Sequence, residues 1–108
     1  MKIKTLVAIL LLSGGVNSAF AQNDCNANSS ISHEAVKAGN FKDAYAPCMA
    51  VLKDCPTLRY YTFTDAQKIL VGFLNQIKDR NSADYKKYFD ELMNVYDLRM
   101  KYIPEFIQ

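Results

Sequence analysis

Between Gly39 and Pro56 this chain has room for little except a turn followed by a helix. Gly39 is the residue type that most easily takes the left-handed conformation closing a helix. Asn40 follows as an N-cap, and Asp43 lies in the first turn, where the helix dipole favours negative charge. Phe41, Ala44, Tyr45, Cys48, Val51 and Leu52 then recur at helical spacing, and Pro56 ends the run. Pro47 falls inside this helix, where it removes a backbone hydrogen bond at a cost of about 3 kcal/mol. The apolar stripe stays in phase across Pro47, which predicts a kinked helix and not two separate ones.

The same reading extends in both directions. Residues 22–28 are polar and read as a flexible linker, with Ser29 or Ser30 capping a short first helix that carries Ile31, Ala35, Val36 and Ala38. Beyond Pro56, a third helix is expected from about Thr62, with Asp65 as a weak capping-box partner. Phe63, Ala66, Ile69, Leu70, Phe73, Leu74 and Ile77 give it a wide apolar face. Gly72 within that face either admits close helix packing or is tolerated at about 1 kcal/mol relative to Ala. Lys78 to Ser82 form a polar connector, and a fourth helix runs from about Ala83 to Tyr102, before Pro104. Tyr85, Tyr88, Phe89, Leu92, Val95, Tyr96, Leu98, Arg99, Met100, Tyr102 and Ile103 cover more than one of its sides. No stretch alternates with period two over a useful length, so the expected class is all-α, with helix pairs over 29–56 and 57–108.

Residues 1–21 read as a secretory signal peptide. Met1 to Lys4 is basic, Thr5 to Leu12 is apolar, and Ala19-Phe20-Ala21 offers small residues where a signal peptidase reads them. The apolar run is interrupted by Ser13-Gly14-Gly15 and falls short of the roughly 20 residues that span a bilayer. Cleavage after Ala21 is expected, giving a periplasmic or secreted protein with no membrane contact afterwards. Cys25 is too far from the cut for a lipoprotein. Of the 108 residues, 108 less 21 leaves 87, and loss of Lys2 and Lys4 takes the basic count from 13 to 11, matching the 11 acidic residues. A neutral chain has no electrostatic footprint for nucleic acid, and it repels its own copies weakly.

Exported cysteines meet an oxidising compartment, so structural pairing among Cys25, Cys48 and Cys55 is expected. There is no Cys-x-x-Cys, and the single His33 cannot complete a zinc ligand set, so no metal or cofactor is called for. A catalytic cysteine would need a base within about 3 Å and a third group to orient that base. The spacing marks neither, and His33 is expected to be an exposed polar residue of the first helix. Lys86-Lys87 and Asp90-Glu91 form opposite-charge pairs four apart, the pattern of a solvated helix face.

Gly39-Asn40-Phe41-Lys42-Asp43-Ala44, with Pro56 twelve residues past Ala44, resembles the tetratricopeptide repeat (TPR) family. The unit of that family is a helix–turn–helix of about 34 residues. Gly39 permits the reversal, Ala44 lets two helices approach, and Pro56 breaks the helix before the next unit. A weaker internal match sets Gly39–Ala44 over Ala83–Tyr88, placing Lys42 on Lys86, Met49 on Met93 and Val51 on Val95. The resemblance implies packing roles for Gly39, Phe41, Ala44, Cys48, Val51 and Pro56. It implies an inner, partner-binding face carrying Ser29, His33 and Lys37. Ser29 and His33 stand where some members grip a terminal carboxylate with Lys and Asn, so that mode of recognition is not expected. In an antiparallel helix pair Cys25 and Cys55 come together. This pairing is favoured over Cys48–Cys55, and would contribute roughly 3–4 kcal/mol by closing a loop of about 31 residues.

The function implied is that of a non-enzymatic exported repeat module that mediates protein–protein interaction, with another protein or by self-association. About three units are needed before such a module is stable alone. The chain stops at Ile107-Gln108 without a polar capping helix, which predicts a truncated or unusually short relative. The alternative is a small periplasmic four-helix bundle that binds a small ligand or works in thiol redox.

Overall fold

The computed structural model describes residues 24–107, so the expected signal peptide lies outside the described residues. Among them the chain is all-helical: α1 Cys25–Lys37, α2 Phe41–Asp54, α3 Tyr61–Gln76 and α4 Ala83–Tyr102, followed by a short 3-10 turn Ile103–Glu105.

The turn between α1 and α2 is built as its residues require. Gly39 has φ 77°. Its N–H bonds to Val36 O at 2.9 Å, and the Asn40 N–H bonds to Ala35 O at 2.8 Å, the paired closure of a Schellman motif. Asn40 caps α2, its side chain accepting from the Asp43 N–H while its amide donates to the Asp43 carboxylate at 2.7 Å. The helix then continues unbroken through Pro47 to Asp54. Ser82 caps α4 by accepting from the Tyr85 N–H at 3.2 Å, and α4 has the bounds its sequence predicts.

One helix start differs from expectation, and another lacks its expected cap. The first helix begins at Cys25, with Asp24 as its cap, so 25–28 are helical and not linker. The Asp24 carboxylate accepts the Ala27 N–H at 3.0 Å and starts the helix there, and Ser29 is engaged with Tyr61 instead. The third helix begins at Tyr61 without any side-chain cap. Thr62 is buried, and Asp65 turns inward and does not close a capping box. The internal match also shifts: the equivalent caps are Asn40 and Ser82, 42 residues apart and not the 44 of the sequence match.

One core joins all four helices. Val36, Ala44, Cys48, Leu52, Phe63, Ala66, Ile69, Leu70, Leu92 and Val95 form its buried centre. Helix α1 packs on α2 and α3, α2 on α3, and α3 on α4. A Cβ added to Gly72 would lie 2.5 Å from the Phe41 ring, so this glycine is what lets the start of α2 sit on α3.

Candidate functional site

Two surfaces gather the residues that could do work: the seam between α1 and α3, and the outward face of α4.

The seam is polar and regular. Ser29 Oγ donates to Tyr61 Oη at 3.4 Å, His33 Nδ1 meets Asp65 Oδ2 at 2.7 Å, and Arg59 donates to Asn26 Oδ1 at 3.5 Å. Each partner lies 32 or 33 residues along the chain, so the pairing advances in the same direction on both sides of the seam. His33 also stacks on Tyr61, with centroids 3.8 Å apart and planes at 13°. The Asp65 side chain is 4 % exposed. With that carboxylate as acceptor, the shared proton sits on Nδ1.

Two of the three residues expected on an inner face are engaged within the fold. Ser29 is buried, at 2 % exposure, and is spent on Tyr61. His33 is half-buried and held by Asp65, not free in solvent. Lys37 is exposed and paired with Glu34 at 3.2 Å. The physical reason is that α3 lies across the side of α1 that carries Ser29 and His33. Neither Asp65 nor Tyr61 could be assigned this role from the sequence, since the pairing depends on which helices are neighbours.

The other expected positions fall where packing needs them. Cys25 and Cys55 are bonded, with Cα atoms 6.4 Å apart. Ala44, Cys48 and Val51 are fully buried, Phe41 is half-buried against Gly72, and Pro56 lines a groove with Met49, Leu52, Leu98 and Tyr102. The Cys48 thiol donates to Thr62 O at 3.7 Å. Burial, and then the nearby Asp65 charge, pushes its pKa up to about 12. A thiol so placed is protonated and inert, the opposite of an activated nucleophile.

The surface of α4 divides sharply. Leu92 and Val95 enter the core. Tyr45 Oη donates to Glu91 at 2.6 Å, and Arg99 Nε donates to Tyr60 Oη at 2.7 Å, fixing the rotation of the helix. Burial and the Glu91 carboxylate push the Tyr45 phenol well above its ordinary value. Of the two expected charge pairs, Lys86–Asp90 forms at 3.2 Å in solvent. Glu91 is taken by Tyr45 instead, and Lys87 lies over the Tyr88 ring at 4.8 Å. With the helix so fixed, Phe89, Met93 and Met100 face outward at 44, 38 and 75 % exposure. Tyr96, Arg99, Met100 and Ile103 line a shallow groove on the same side.

No protein-family model, curated protein or solved structure matches this chain. Among the described residues there is no cluster of three or more metal-ligating side chains, and no helix long and apolar enough to cross a membrane.

Proposed function

We propose that this chain is an exported, non-enzymatic module of TPR-like helix pairs that works by protein–protein contact. The observation that carries the reading is the outward face of α4, where Phe89, Met93 and Met100 remain exposed although the same helix is already anchored in the core. Large apolar side chains gathered on one side of a helix are the usual mark of an interaction surface. The α1–α3 seam supports the architecture: a constant offset of 32 to 33 residues between neighbouring helices is what stacked helix pairs of about 34 residues produce. Removal of a signal peptide after Ala21 and release to the periplasm or exterior accord with the Cys25–Cys55 disulfide. The inert Cys48 thiol and the engaged His33 speak against a cysteine–histidine enzyme.

The test is site-specific photo-crosslinking in a host that exports the chain. A photoreactive residue at Met93 or Met100 should yield protein adducts, and one at Lys42, exposed on α2, should not. Absence of adducts from every position on α4 would overturn the reading. The thiol-redox alternative is checked separately by equilibrating the protein in glutathione. A structural bond stays closed across the compartment's range, whereas a redox-active one cycles.

A further inference from the structure

The outward residues of α4 carry a pattern that narrows the choice of partner. Phe89, Met93, Tyr96, Met100 and Ile103 are spaced four, three, four and three residues apart. That is a seven-residue repeat, and a helix bearing it meets another helix with the same repeat along a shallow left-handed seam. The first three positions and Met100 lie within α4, and Ile103 continues them in the helical conformation that ends it. The stripe is about 21 Å long at 1.5 Å per residue.

We infer that this stripe is the contact between two copies of the chain, packed antiparallel about a two-fold axis near Leu98. The inference rests on the contact-module reading above and names its partner. An isologous contact of this kind needs a self-complementary surface. Antiparallel packing sets Tyr96 of each copy beside Met100 of the other, and Met93 beside Ile103, so a bulkier and a slimmer side chain share each layer. The flanking charges match in the same register. Asp97 and Lys101 are both exposed on one edge of the stripe, one helical turn apart. Across the axis, Asp97 of each copy comes within reach of Lys101 of the other, giving two cross-copy ion pairs. The mature chain carries no net charge to hold the copies apart. A seam this short makes a small, reversible contact and not an obligate dimer.

The experiment is sedimentation equilibrium of the exported, disulfide-bonded chain over a wide concentration series. The expected result is a monomer–dimer equilibrium that does not proceed to larger species. Met100→Glu should weaken it by at least about tenfold with helix content unchanged by circular dichroism. Asp97→Lys and Lys101→Asp should each weaken it, and the double exchange should restore it, because the cross-copy pairs are then re-formed with signs reversed. That rescue is independent of whether Met100→Glu folds. A chain that stays monomeric throughout, or dimers indifferent to all four variants, would overturn the inference. If the monomeric chain still gives crosslinks to a different protein from Met93 or Met100, the second copy is the wrong occupant and the contact-module reading stands. If neither dimer nor crosslink appears, both fail.

Discussion

The two helix pairs are held together by different means. The first is stapled by Cys25–Cys55, closed by a hydrogen-bonded glycine turn, and joined to α3 by a polar seam. The second has no covalent tie, begins at Tyr61 without a side-chain cap, and relies on packing. Its rings do much of that work: Phe73 with Tyr88 at 5.0 Å and with Tyr45 at 5.4 Å, and Phe106 with Tyr60 at 5.4 Å. The short, sparsely apolar α1 needs cross-links because it buries little; Val36 is the one hydrophobic residue in its buried set. The longer α4 is secured by one face alone and leaves another free. The weak helix is fixed chemically and the strong one by burial.

The largest expected effect comes from removing the staple. Reduction, or Cys25→Ser with Cys55→Ser, should lower unfolding free energy by about 3–4 kcal/mol in a denaturant titration. Hydrogen exchange should rise first in α1. Equal loss of protection in α1 and α4 would break the contrast between the two pairs.

Next is the seam. His33→Ala leaves the Asp65 carboxylate buried without its partner and should cost about 2–3 kcal/mol. Asp65→Asn keeps an acceptor for Nδ1 and should cost less. If the two variants prove equally mild, the seam is ornamental and α1 is held by the disulfide alone.

The joint between the pairs is tested by Gly72→Ala, whose new methyl would collide with the Phe41 ring. Overpacking of this kind should destabilise by about 1–2 kcal/mol, despite the better helix propensity of alanine. Phe41→Leu added to it should recover part of the loss. A stabilised Gly72→Ala would show that the contact between α2 and α3 is loose.

The smallest effect is alkaline. The folded chain keeps the Cys48 proton up to about pH 12, whereas an exposed thiol loses it near 9. The unfolded state therefore binds fewer protons between those values. This contribution is intact below pH 9 and is lost as pH rises toward 12. Tyr45, also raised, adds the same sign at higher pH. A loss of about 1 kcal/mol is expected at pH 9.5 relative to pH 7. Cys48→Ala, compared by slope and not by level, should flatten the lower part of that curve.

Local chemistry was largely legible in the residues. The Gly39-Asn40 reversal and the bounds of α4 follow from neighbours within a few positions, as the structure bears out. The Cys25–Cys55 pair was legible too, because an antiparallel helix pair brings its ends together. The start of α1 is not legible locally, because Asp24, Ser29 and Ser30 are all able caps. Only the location of α3 shows that Ser29 is required beneath Tyr61. Asp65 is another case: its position suits a capping carboxylate, yet the packing of α1 makes it the partner of His33.

By itself the sequence determined the helical class, where most helices begin and end, and which cysteines meet, since each depends on short-range backbone preferences or on the geometry of one hairpin. The tertiary structure alone decided the rotation of each helix and which neighbour lies across it. An amphipathic pattern says that a face will be buried but not against what. Hence Ser29 and His33, which the sequence alone leaves open to a partner, are engaged by Tyr61 and Asp65 of α3. The free surface is on α4, where Glu91 and Arg99 lock the helix and turn Phe89, Met93 and Met100 to the outside.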